Sequence, residues 1–251
     1  MKITKIVFSP TGGTMRIVES LFDGQLYEDR EINLITKDID FSSVKIEHDE
    51  LVVIAMPSYS GRAPEVALKR LNMIDGNGAP CVLVVSYGNR DYEDTLLEMS
   101  DAAKTCGFIP FAAVSGIAEH SIDRETAAGR PDSDDKQKLR KIGKKILGEF
   151  KNCKALCYVP GHMPYKELQG GSNCPEPGEG CTKCDICRQE CPADAIDIQM
   201  IGNPQKCISC MRCIKVCPEG ARALDDITAK RIHSYLKLNC RVRKEPELFI
   251  E

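Results

Sequence analysis

Apolar positions over the first 150 residues recur in two patterns, short runs and helical stripes. Ile3 to Phe8 reads as a strand entering a turn, and Thr14 to Phe22 as an amphipathic helix behind it. Glu31 to Ile35 is expected as a second strand. Leu51 to Met56 and Cys81 to Ser86 are continuous apolar runs, as strands buried on both faces should be. Pro64 to Leu71 and Tyr92 to Cys106 suit the helices after them, and Phe108 to Ser115 a fifth strand. Asp135 to Phe150 is expected as a closing helix with a basic outer face. Strands alternating with helices imply βαβ units. Five such strands predict an α/β fold, a doubly wound five-stranded parallel sheet with helices on both faces.

The pattern stops at about Lys151. Pro160, Gly161, Pro164, Gly170, Gly171, Pro175 and Pro177 break any long element, so a linker is expected over 151–175. Residues 176–225 then carry an internal repeat, expected as a small second domain. Asp226 to Leu238 reads as a helix and the rest as a charged tail, which makes 226–251 a terminal appendage to domains 1–150 and 176–225.

Composition first narrows the function by exclusion. The 251 residues are 42% hydrophobic and 28% charged, enough apolar content for two modest cores. Lys+Arg 34 against Asp+Glu 37 leaves a net charge of -3, without the basic surplus expected of a nucleic-acid or anionic-membrane binder. The longest apolar run, Leu51 to Met56, is far short of the ~18 residues of a membrane helix. The opening MKITKIVFSP has no signal-peptide core, so a cytoplasmic protein with no membrane insertion is expected. The cysteines are more informative. Of 14, only Cys81 and Cys106 precede residue 150, and both read as core residues. In a reducing compartment the crowded remainder points to metal rather than to disulfides.

That remainder is organised. CTKCDICRQECPADA from Cys181 matches CISCMRCIKVCPEGA from Cys207 at every cysteine, at the proline and at the final alanine. Each half reads C-x2-C-x2-C-x3-C-P, the spacing of cubane iron–sulfur ligands, in which the fourth cysteine serves the other cube. Cys181, Cys184, Cys187 and Cys217 are thus expected to hold one [4Fe-4S] cluster, and Cys207, Cys210, Cys213 and Cys191 another. The fourth cysteine is expected to open a helix. Structural zinc is the alternative, since C-x2-C pairs also suit tetrahedral sites, but it leaves the doubled triplet unexplained. Cys153, Cys157, Cys174 and Cys240 fit no ligand pattern and are expected as free thiols. These roughly 45 residues resemble the two-cluster bacterial-type ferredoxins.

The first strand runs into Ser9-Pro10-Thr11-Gly12-Gly13-Thr14 and then a helix. Hydroxyls and amides at a helix N-terminus make an anion site. It is neither a Walker A loop nor G-x-G-x-x-G, and a plain glycine turn is the alternative. Two later loops, Pro57-Ser58-Tyr59-Ser60-Gly61 and Tyr87-Gly88-Asn89-Arg90-Asp91-Tyr92, should emerge at the same sheet end, at the crevice where doubly wound folds bind ligands. A phosphate cradle beside two tyrosine loops suits a phosphorylated planar cofactor. His120, on the loop after the fifth strand, is a candidate catalytic proton donor, or else merely an exposed loop histidine.

This half resembles flavodoxin, whose phosphate loop reads Ser/Thr-x-Thr-Gly-x-Thr. The resemblance implies FMN, with Ser9, Thr11, Gly12, Gly13 and Thr14 on its phosphate. It also puts the two later loops on either side of the ring. Trp is absent, so tyrosine must replace the usual indole. Together the halves resemble the flavodoxin–ferredoxin fusion proteins, as do Val159 to Lys166 and Ala118 to Ser121. The resemblance implies electron transfer between two [4Fe-4S] clusters and FMN, with redox proteins as partners. A flavin-dependent reductase fed by the clusters is the second reading, and a cluster-based sensor the third.

Overall fold

The computed structural model describes residues 1–168 and 173–251; Gly170 and Gly171, two of the linker's expected breakers, lie outside the described residues. In chain order the first unit runs β1 (Lys2–Val7), α1 (Gly13–Phe22), β2 (Glu28–Asn33), β3 (Leu51–Pro57) and α2 (Glu65–Leu71). It continues through β4 (Pro80–Tyr87), α3 (Thr95–Thr105), β5 (Ile109–Ile117) and α4 (Ser133–Glu149). The five strands are parallel in the order β2-β1-β3-β4-β5, the flavodoxin-like doubly wound order.

Alternation explains the continuous apolar runs. Along β3, Val52, Ile54 and Met56 face the core under α2 and α3, whereas Leu51, Val53 and Ala55 face the core under α1 and α4. Both faces are covered, so no position can be polar. Helix α3 starts three residues later than Tyr92, because Tyr92 forms a turn whose carbonyl accepts from Thr95. Strand β2 lies three residues earlier than expected at its start. The side chain of Asn33 accepts from the Ile35 amide and turns the chain out of the sheet.

The second unit holds β6 (Glu176–Pro177), α5 (Ile186–Gln189), α6 (Arg212–Lys215) and β7 (Arg222–Ala223), with β6 and β7 antiparallel. The repeat places its fourth cysteine differently from expectation. Cys187 and Cys213, the third of each triplet, lie inside α5 and α6; Cys191 and Cys217 lie just past those helices. Pro192 and Pro218 follow them and prevent continuation.

The remainder runs α7 (Asp226–Asn239) and β8 (Glu247–Ile250). Here the expected charged tail does something else: β8 pairs antiparallel with β5, from Ala112↔Ile250 to Ser115↔Glu247. The sheet therefore has a sixth, antiparallel edge strand beyond the five predicted. Polar contacts seat the second unit against the first. Lys37 donates to Asp194 at 2.7 Å, Arg70 to the Pro192 carbonyl at 2.9 Å, and Arg212 to the Pro10 carbonyl at 3.0 Å.

Candidate functional site

The loop from Ser9 to Thr14 is built around Gly12, whose φ of +88° places it in the left-handed region open to glycine. Ser9 organises the turn: its carbonyl accepts from Gly12 at 3.1 Å and its Oγ from the Met15 amide at 3.0 Å. Helix α1 begins at Gly13 with no acidic residue in its first turn to offset the positive end of its dipole. Thr14 Oγ1 lies 2.7 Å from Ser86 Oγ. The Arg16 guanidinium comes within 3.4 Å of the space a Gly12 side chain would fill.

This loop forms one wall of a cavity of about 560 Å³, within the usual size range of cofactor sites. From the predicted residues, Thr11, Gly13 and Thr14 line it at one end. Pro57, Ser58, Tyr59 and Ser60 line one side, and Tyr87, Gly88, Arg90 and His120 another. Burial pushes the Tyr59 phenol well up, with Cys210 nearby as a second cause.

Ser9, Gly12, Gly61, Asn89, Asp91 and Tyr92 do not line the cavity, each for a physical reason. Ser9 and Gly12 shape the turn beneath it. Gly61 sits at φ +86° against the Glu93 carboxylate. Asp91 accepts from the Glu93 amide at 2.9 Å. Tyr92 packs edge-on to Tyr87 at 5.2 Å and its hydroxyl donates to Glu247 in β8. Asn89 turns away from the cavity altogether. Its amide donates to the carbonyls of Cys240 and Val242 at 3.0 and 2.9 Å, and its Oδ1 accepts from the Lys244 amide at 3.0 Å. That clamp fixes the segment behind α7, and Ile232, Tyr235 and Leu236 of α7 wall the cavity. Sequence reasoning missed these three residues; the amphipathic pattern of 226–238 was their signal.

His120 reaches the cavity as a neutral ring. Its Nδ1 accepts from the amides of Ile122 and Asp123 at 3.3 and 3.2 Å, which places the proton on Nε2. Burial lowers its pKa to about 4, helped by Arg90 and opposed by Asp123. At neutral pH it is therefore a hydrogen-bond donor and not an imidazolium acid. Gly88 allows this approach, since a Cβ there would stand 2.2 Å from the imidazole Cδ2.

The cysteines gather into two hollows. Cys181, Cys184, Cys187 and Cys217 line one, with Met200 and Pro218. Cys191, Cys207, Cys210 and Cys213 line the other, and Cys174 joins them. The quartets are those the repeat predicts, each taking its fourth cysteine from the opposite half. Cys174, expected as a free thiol, is a fifth sulfur at the second hollow. Burial pushes the Cys210 thiol up to about 12 and Cys213 to about 11, so without a bound cation these groups stay protonated. Of the two expected core cysteines, Cys81 is buried and Cys106 only half-buried.

A model of the 4Fe-4S binding domain matches residues 200–223, the half of the repeat that holds Cys207, Cys210, Cys213 and Cys217. No curated protein matches the chain. Among solved structures, a flavodoxin from the domain Archaea is 13% identical, with a TM-score of 0.42 over 60% of this chain and 99% of its own. A flavodoxin of Streptococcus pneumonia TIGR4 is 18% identical, at 0.41 over 59% and 99%. Rubredoxin oxygen:oxidoreductase from Desulfovibrio gigas is 14% identical, at 0.44 over 60% and 36%. At these values the fold rests on the strand order, and the likenesses add nothing to it. The chain is a flavodoxin-like α/β unit joined to a ferredoxin-like unit with a 4Fe-4S binding domain.

Proposed function

We propose that this chain passes electrons between two [4Fe-4S] clusters and FMN, and so connects one-electron with two-electron redox proteins. A shared wall carries the reading: Cys207, Ile208 and Ser209 line the same cavity as Thr11, Thr14, Tyr59 and Tyr87. Cys207 also lines the second thiol hollow. The quartet of Cys191, Cys207, Cys210 and Cys213 is thus the inner relay, beside the cavity. The quartet of Cys181, Cys184, Cys187 and Cys217 is the outer one, and Cys184 is exposed where a partner protein would dock.

FMN bound here would supply the two-electron capacity that the clusters lack. The chain's residues suit it in a definite order. Thr11, Gly13, Thr14 and the α1 N-terminus would hold the phosphate, with the Arg16 guanidinium near the Gly12 turn. Tyr59 and Ser60 would serve one side of the ring, and Tyr87, Gly88 and Arg90 the other. His120 would donate from Nε2, and Ile232 and Leu236 of α7 would keep water out. Arg212 ties the inner relay to the phosphate loop through the Pro10 carbonyl.

The test is composition after purification without oxygen. About eight irons and eight sulfides per chain, four of each to a cube, are expected with about one FMN. Zinc in place of iron would end the account. Steady turnover of a small organic acceptor by reduced protein, with no partner present, would favour the reductase reading instead.

A further inference from the structure

Arg222 is 3% exposed and lines both thiol hollows. The turn after Cys217 delivers it there, at the start of β7. Its Nη1 donates to the Met200 carbonyl at 2.8 Å and reaches the Cys187 sulfur at 3.7 Å. Its Nη2 donates to the Pro175 carbonyl at 2.9 Å, and the guanidinium shares the second hollow with Cys213, whose thiol its charge draws downward against burial. Cys187 belongs to the outer quartet and Cys213 to the inner. Its Nε is buried with no hydrogen-bond partner among the described residues.

A guanidinium is permanently charged, and burying one without a counter-charge is costly. Among the described residues the hydrogen-bond partners of Arg222 are two carbonyls and the Cys187 thiol, none of them a carboxylate. The missing negative charge is what four thiolates and a cube would bring to each hollow. A cluster grows more negative when it takes an electron, so a nearby cation stabilises its reduced form. Hydrogen bonds to the ligand sulfurs act in the same direction, and local charge is among the factors that set cluster potentials.

We propose that Arg222 is the shared counter-charge of the two clusters, placed between them so that it raises both reduction potentials. The proposal rests on the two-cluster reading above. The side chain lines both hollows, so its removal should move both potentials together.

The experiment compares wild-type protein with R222Q, R222M and R222K, all prepared without oxygen. Iron and sulfide analysis reads loading, and a redox titration followed by electron paramagnetic resonance reads each cluster. About eight irons are expected throughout. In R222Q both one-electron equilibria should shift toward the oxidised form by about tenfold or more, a fall of about 59 mV. R222K, which keeps the charge, should stay within about threefold, roughly half that interval. If R222Q does not load, R222M carries the same expectation on an unbranched apolar stem of similar reach. Loss of clusters from both uncharged variants, with retention in R222K, would support the same dependence in its extreme form. A loaded uncharged variant with unchanged potentials would overturn the inference, as would movement of one cluster alone or an R222K shift as large as that of R222Q. Wild-type protein without two clusters would overturn both the inference and the proposed function. Analysis of the wild type thus separates the two failures.

Discussion

Single residues differ in exposure within the two quartets: Cys184 is open to solvent, whereas Cys187, Cys191 and Cys210 are buried. Replacing Cys184 with alanine should remove about four irons, one cube, and leave FMN bound. Metal and flavin analysis of that variant checks it; loss of flavin together with iron would contradict separate sites. His120 gives a pH dependence whose sign follows from its lowered pKa. The unfolded ring binds a proton near pH 6.5, and the folded ring only at about 4. Between those values the unfolded state holds more protons, so this contribution is full above pH 6.5 and is lost as the pH falls toward 4. His120→Gln should flatten the stability profile in that window relative to wild type. Denaturant midpoints at a series of pH values read the difference.

Among the elements, α7 matters most to the cavity and depends on contacts far from it in sequence. Asn89 holds its trailing segment, and so does Arg130, which donates to the Lys244 carbonyl at 2.8 Å while pairing with buried Asp135. Asn89→Ala leaves two part-buried carbonyls and an amide without their partner, at a cost of about 1 kcal/mol. Faster hydrogen exchange through Asp226–Asn239 and weaker FMN retention should accompany it; unchanged exchange there would contradict the clamp. The elements also show where sequence reading succeeds. The strands β3 and β4 were legible because burial on both faces favours unbroken apolar runs, whereas β2 is a largely exposed edge strand whose start was misplaced by three residues. β8 was not legible, because Glu247–Ile250 is four residues in a charged segment and its partner β5 lies more than a hundred residues away. Asn89 was read toward the ring because a polar loop at a strand end looks alike whether it faces a cofactor or a returning tail. Cys174 and Arg222 carried no motif at all; only the fold brings them to the thiols.

Over the whole molecule, the repeat and the phosphate loop identified the two halves separately, yet their docking was invisible to spacing and periodicity. It depends on a few long-range contacts, Lys37 to Asp194, Arg70 to Pro192 and Arg212 to Pro10. The first is partly exposed and contributes at most about 1 kcal/mol. Arg212 is the contact that links the inner relay to the phosphate loop. Arg212→Ala should slow electron exchange between iron and flavin while leaving the content of both unchanged, as rapid-mixing kinetics and metal analysis would show. Among the described residues no helix is long and apolar enough to cross a membrane.

Rapid photoreduction of the loaded protein, followed at separate iron–sulfur and flavin wavelengths, tests the central claim most directly. The account predicts that cluster absorbance recovers at the same rate as the flavin is reduced, and that this rate is independent of protein concentration. A rate proportional to concentration, or flavin reduction unconnected with cluster reoxidation, would contradict an internal path from the thiol hollows to the cavity.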